Sequence, residues 1–377
     1  KLETPIEWID GKDRYKYVLA TPDISVKDLV GYIDAVKVAK MGIEMYKIES
    51  YSPGQLMQAK HGIFCIDELP VLDPRKQVAL LSVLQEGYFT TGSYPVIFEP
   101  KTVFFATANP IDYTHSGKVI EPLYDRLKSH IHTHYPNTIE DEMIIIIQEA
   151  NISKSLILSP LLKTLAKVVQ KTRNSTQINQ ETGVSVRLGI HGLELLVGES
   201  ERTRALPNKI LSVPRISDMH CLNQVVKFQL SELDDTVKNR EKVFDEFLKE
   251  SIKETCLEYL EDIDNTTLES IKQEFGENTF QVSQNLIWKN GETSYSRQLG
   301  NFSKLKKIVE SKLNIIQSSQ NALKQQLELF KIDPKYVELT KQHENELLSA
   351  LIEIILEGLC WTNPKILDKN EAGYGPA

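Results

Sequence analysis

The stretch His61-Gly62-Ile63-Phe64-Cys65-Ile66-Asp67-Glu68-Leu69 constrains the fold most. Its apolar run, Ile63 to Ile66, is short and rich in Ile and Phe, which predicts a buried parallel strand rather than a helix. The run stops at two adjacent carboxylates, Asp67 and Glu68. Ligands in open α/β sheets sit beyond the carboxyl ends of such strands, so the pair leaves the sheet where a substrate would lie. Nucleotide hydrolysis needs this pair. One carboxylate anchors Mg²⁺ through its water shell, and the other orients or deprotonates the attacking water. A strand that merely runs into a polar loop makes the same pattern, so the neighbours must decide.

Those neighbours belong to a chain of 377 residues, long enough for two or three domains. A formal net charge of -8 argues against nucleic acid or an anionic membrane as the partner. Cys65, Cys221, Cys256 and Cys360 are far apart and form no metal-ligand spacing, which predicts reduced thiols in a cytoplasmic protein. Apolar runs such as Ile144 to Ile147 are too short to span a bilayer.

Local codes mark several elements. Ser25 with Asp28 three residues on predicts a short helix start. Gly42 to Ser52 reads as a loose connection, and Leu56 with Ala59 as a short helix ahead of the strand. Asp73-Pro74 opens a helix whose apolar positions are Val78, Leu81 and Leu84, and Gly87 closes it. Tyr88 to Thr90 and Val96 to Phe98 flank Gly92-Ser93 as a β-hairpin. A second buried strand, Val103 to Ala108, ends in Asn109-Pro110. Helical patterns follow over Asp141 to Gln170, with a joint at Asn151 to Pro160, and over Val186 to Ala205. Val213 to Asp218 opens a further helix towards Leu230. Beyond Asp234 the chain reads as helical, including Phe302 to Phe330 and Tyr336 to Cys360. One hairpin, with Asn290-Gly291 at its turn, interrupts it between Thr279 and Arg297. The tail, Thr362 to Ala377, reads as loose.

In this order the pieces resemble the AAA+ ATPases of the magnesium-chelatase and MoxR group. Ser52-Pro53-Gly54-Gln55-Leu56 through Ile66-Asp67-Glu68 is similar to that group's approach to its Walker B strand. The Tyr88–Phe98 hairpin is similar to its insertion before the sensor strand. Asp23 to Asp34 and Glu353 to Leu359 also resemble bacterial proteins labelled magnesium chelatase by similarity. The resemblance covers about Thr21 to Leu230. It implies Asp67 as the Mg²⁺ ligand, Glu68 as catalytic base, Asn109 as sensor 1, Arg126 as arginine finger and Arg187 as the nucleotide-binding sensor 2 of a helical lid. The implied architecture is α/β plus all-α. An AAA+ parallel-sheet core fills residues 1–150, a helical lid 151–232, and a C-terminal helical extension with the hairpin 233–377. It further implies ATP and Mg²⁺ as cofactors, a homo-oligomeric ring, typically a hexamer, and a von Willebrand A domain protein as the partner remodelled.

The group's phosphate-gripping loop, G-x-x-x-x-G-K-[ST], is not in this sequence. With Lys1 rather than Met at the start, that predicts a fragment whose Walker A part lies ahead of Lys1. The alternative is a catalytically degenerate scaffold of the same fold. A helicase-related DNA motor is a third reading, opposed by the acidic balance and a hairpin without a basic tip. Each residue also has a plainer role: Asn109 an Asn-Pro turn, Arg126 and Arg187 ion pairs. His115, His130, His132 and His134 suit a strand edge better than a metal site, and Trp288 and Tyr295 suit hairpin packing.

Overall fold

The computed structural model describes residues 8–90, 97–109, 118–152, 155–179, 184–208, 210–231, 235–282, 294–318, 341–370 and 373–377. They fall into two compact units, Lys1–Thr133 and His134–Ala377.

In the first unit, β1 (Tyr15–Leu19) leads to α1 (Val26–Val30), whose capping box pairs Ser25 with Asp28 as the spacing predicts. A two-stranded ribbon, β2 (Gly31–Ile33) with β3 (Tyr51–Pro53), flanks α2 (Ala35–Met41). The short α3 (Gln55–Gln58) precedes β4 (Ile63–Asp67), and a Cβ at Gly62 would lie 1.8 Å from the Arg14 carbonyl oxygen. Only glycine lets β4 start that close to β1. Asp73 then caps α4 (Pro74–Glu86) by accepting the N–H groups of Arg75 and Lys76 at 3.0 and 3.2 Å. Gly87 ends that helix in the left-handed conformation, at φ 71°. Next come β5 (Phe89–Thr90), paired with β6 (Ile97–Phe98), then β7 (Val103–Ala106) and α5 (Glu121–Arg126). The tip of the predicted hairpin lies outside the described residues.

Strands β1, β4 and β7 form a parallel sheet in that order, with β4 central. One face of it packs as expected. Phe64 and Ile66, both wholly buried, meet Leu29, Leu56, Leu80 and Leu123 from the helices. The other face corrects the expectation of a strand buried on both sides. Tyr15, Tyr17, Leu19, Ile63, Val103 and Phe105 stand exposed there, Phe105 at 54%. Among the described residues of this unit, no helix covers them.

The second unit is mainly helical. Helices α6 (Ile139–Glu149), α7 (Ser159–Asn174) and α8 (Arg187–Ser200) come first. A π-helical turn (Glu201–Ala205) runs from α8 into α9 (Leu206–Asn208). Then α10 (Val237–Leu260), α11 (Asn265–Phe275), α12 (Ser294–Leu299), α13 (Ser303–Ser318) and α14 (Lys341–Leu359) follow. Helices α8 and α6 touch closely because a Cβ at Gly189 would come within 2.6 Å of Ile146.

Three expectations change here. The helix predicted towards Leu230 is a 3₁₀ segment, Ile216–Val225, followed by extended chain that bridges Leu230 to Ile178. The tail is ordered into strands. β9 (Leu367–Asn370) and β8 (Phe280–Gln281) both pair with β10 (Gly373–Pro376). Tyr295 belongs to α12 rather than a hairpin strand, because its ring is buried and its hydroxyl donates to Glu353 at 2.8 Å. Residues 283–293, with the rest of that hairpin, lie outside the described residues.

Charge is buried in this unit. Arg204 donates to Asp218 at 2.8 Å and Arg215 to Glu346 at 2.6 Å, with all four side chains at most 2% exposed. Glu353 accepts from Ser217 N–H at 2.8 Å, and burial pushes its carboxyl up from the ordinary range. Along α7 and α10, Lys163, Lys167 and Lys171 interleave with Glu258, Glu254 and Glu250 at 2.6–3.3 Å.

Candidate functional site

Register places the site. β1 and β4 pair Leu19 with Asp67, while β4 and β7 pair Ile66 with Ala106. Asp67 is therefore the last residue of the central strand, flanked by the ends of both neighbours. Just past β7, Thr107 ties the two strands together. Its hydroxyl donates to Asp67 Oδ1 and accepts the N–H of Glu68 at 3.0 Å. The N–H of Leu69 bonds the Thr107 carbonyl at 3.0 Å. From the other side, the Tyr17 hydroxyl donates to Asp67 Oδ2 at 2.6 Å.

These donors fix the charge state of Asp67. The Thr107 hydroxyl, and after it that of Tyr17, holds the carboxyl below its ordinary value. The partner effect raises the Tyr17 phenol to about 12, chiefly through the same hydrogen bond. A depressed carboxylate stays ionised at neutral pH, and the two bonds stabilise the fold until pH falls through its lowered pKa.

Glu68 has different surroundings. Its backbone is left-handed, φ 55° and ψ 47°, and it is exposed, with no side-chain partner among the described residues. Strain of this kind collects at functional sites. It does not pick out this site alone, since His61 (φ 60°) and Lys101 (φ 47°) share it at the opposite end of the strands. What distinguishes Glu68 is its place, one residue beyond an ionised carboxylate at the end of the central strand.

Asn109 lies two residues past Thr107, exposed, at the same end of the sheet. Asp67, Glu68 and Asn109 thus all end or follow strands that stop on the same side of the sheet. Arg126 is the last residue of α5 in the same unit, exposed and without an ion pair among the described residues. Buried Gln77 of α4 pins the start of α5 by bonding the Lys118 carbonyl at 3.1 Å and the Ile120 N–H at 2.8 Å. Arg187 belongs to the second unit, as the first residue of α8. Sequence reading missed Thr107 and Tyr17. The one signal for Thr107 was a hydroxyl directly after a strand, two residues before the Asn it had singled out.

The donor set suits a hard cation. Asp67 offers carboxylate oxygens, two of whose four lone-pair sites are taken by hydroxyls. Mg²⁺ keeps several waters and takes one or two carboxylates together with substrate phosphates, rather than a full protein cage. No cluster of three or more His, Cys, Asp or Glu exists among the described residues, so this end of the sheet could hold Mg²⁺ only in that shared manner.

Residues 6–127, the span holding β1, β4, β7 and α5, match the AAA domain (dynein-related subfamily). The match covers this segment and not the helical unit. A curated relative, the uncharacterized protein YeaC of Bacillus subtilis (strain 168), is 27% identical over 135 residues. That match spans 36% of this chain and 39% of YeaC. Among solved structures, NtrX from Brucella abortus is 14% identical, covering 64% of this chain and 52% of that one at a TM-score of 0.38. NtrX in complex with ADP is 16% identical, covering 68% and 53% at 0.36. No helix among the described residues of the chain is long and apolar enough to cross a membrane.

Proposed function

We propose that the chain is the hydrolytic part of a Mg²⁺-dependent ATPase of the chelatase and MoxR type. One observation carries this reading: an ionised Asp67 and an unpartnered, exposed Glu68 leave the central strand of an AAA domain together. Asp67 would hold the metal, which when bound neutralises charge on the phosphates. Glu68 would take a proton from the attacking water, and Asn109 would orient that water.

The division into a core (1–150), a lid (151–232) carrying Arg187, and an extension (233–377) is part of the proposal. So is assembly into a ring, in which Arg126 of one subunit serves the site of the next through a heterologous interface. The work done would be remodelling of a partner, a von Willebrand A domain protein being the one implied by the resemblance, with metal insertion as one outcome. The reaction would run in the cytoplasm. The phosphate-gripping loop is not among these 377 residues. That same observation favours a second reading, an AAA-fold scaffold without turnover.

Mixing separates the two. In the native protein, Arg126→Ala should bind ATP nearly normally and lose about 10³-fold or more in hydrolysis, the range for an arginine supplied in trans. Added to Glu68→Gln, it should recover part of the rate, because some interfaces then join an intact Glu68 to an intact Arg126. No recovery at any mixing ratio, or full activity in a monomer, contradicts the shared site.

A further inference from the structure

A cavity of about 450 Å³ lies within the first unit, at the opposite end of the strands from Asp67. Chain order puts it there. β4 and β7 run parallel, so Ile63 and Val103 both start at that end. α4 begins at Pro74, after β4 has ended, and runs back to finish at Gly87, beside the residues that lead into β7. Its floor is apolar. Leu56, Leu80 and Val83 are buried there with half-buried Leu84 and Phe104, and the Phe104 ring lies 5.6 Å from that of Phe64. The volume falls in the range of small-ligand sites, which join an apolar lining to a few polar groups.

The rim is built under strain. Glu99, Pro100, Lys101 and Thr102 form one side of it. Lys101 holds φ 47°, and His61, whose N–H donates to the Pro100 carbonyl at 3.0 Å, holds φ 60°. The Thr102 hydroxyl donates to the carbonyls of Ala59 and Pro100 at 3.2 and 3.1 Å. Left-handed backbone at residues other than glycine collects at ligand clamps as well as at active sites.

Electrostatics sets the sign of the ligand. The C-terminus of a helix carries partial negative charge and favours cations. α4 has no basic residue in its last turn and ends in Glu86 instead, exposed and without an ion pair among the described residues. Glu99 faces Lys101 at 3.6 Å, both side chains more than half exposed, which makes a weak pair. Two carboxylates and a helix end thus stand against one lysine on the rim. A cation would relieve Glu86, and an apolar body attached to it would cover the floor.

We propose that this cavity binds a small organic cation, an ammonium or guanidinium joined to an apolar ring or chain. Glu86 is its counter-ion, and Leu80, Val83 and Phe104 lie under its body. A free molecule fits this volume, whereas a protein segment would need about 800 Å² of surface. The inference does not rest on the hydrolytic reading.

The test is calorimetric titration of the native protein with phenethylammonium at low salt. Phenylacetate, of like shape and opposite charge, should bind at least tenfold more weakly. Glu86→Gln should weaken phenethylammonium about tenfold, the loss of one charge-assisted bond. Lys101→Gln, which removes the competing cation, should tighten it severalfold. Glu86→Gln should also keep or raise the melting temperature, since it takes an acid from a helix C-terminus. Weaker binding then reports a lost counter-ion rather than a lost fold. Absence of saturable phenethylammonium binding, equal binding of phenylacetate, or affinity unchanged by Glu86→Gln overturns the proposal. Acetyl-Phe-Lys-amide binding more tightly than phenethylammonium overturns the assignment to a free molecule.

Discussion

The two units handle charge in opposite ways. In the first unit the carboxylates at the end of the central strand are half-exposed or exposed, each with at most two hydroxyl partners. The helical unit takes arginines and carboxylates out of water and satisfies them against each other. Apolar surface is reversed: the parallel sheet leaves one face of Tyr, Ile, Val and Phe open, while the helical unit has one continuous core from Ile146 to Tyr374. A charge left in water can meet a ligand, whereas a charge buried in a matched cluster can only hold helices together. The proposed hydrolytic carboxylates belong to the first unit and the matched buried charges to the second.

Breaking the buried cluster is the strongest way to probe this. Arg215→Ala would leave buried Glu346 with Arg204 as its remaining ion-pair partner and take from Glu353 its ion pair with Arg215, and loss of one partner from a buried pair costs about 3–5 kcal/mol. Hydrogen exchange should show faster opening of α14 and the 216–225 segment, with β4 unaffected. Protection unchanged around Glu346 would mean the cluster adds nothing to that unit.

The open sheet face gives a sharper comparison inside one strand pair. Phe64→Ala removes a wholly buried ring and should cost about 3–5 kcal/mol in denaturant unfolding. Phe105→Thr, on the exposed face, should stay within about 0.5 kcal/mol. Comparable losses at both positions would show that the second face is covered in solution.

Local chemistry was legible in the sequence. The Ser25–Asp28 box, the Asp73-Pro74 start and the Gly87 stop act within three or four residues, so the chain states them directly. The central strand with its carboxylate pair was legible for the same reason, whereas β7 ends at Ala106, short of the Ala108 expected, and leaves Asn109 three residues beyond the strand. Partners far apart in sequence were not. Thr107 and Tyr17 meet Asp67 across 40 and 50 residues. β10 pairs with β8 across three described helices, α12, α13 and α14, which is why the tail read as loose. Tyr295 looked like a strand residue by its neighbours, yet burial beside Glu353 places it in a helix. The open face of the sheet was illegible too, because alternation within β1, β4 and β7 cannot say whether a second layer is present.

The central claim is that Asp67 and Glu68 divide the labour of hydrolysis, one for the metal and one for the water. Glu68→Gln in the native protein tests it most directly, by steady-state ATP hydrolysis beside equilibrium ATP binding. Gln keeps the size of the side chain and cannot accept the proton, so turnover should fall about 10²-fold or more while ATP affinity stays within twofold. Unchanged turnover would reduce Glu68 to the end of a strand and contradict the account.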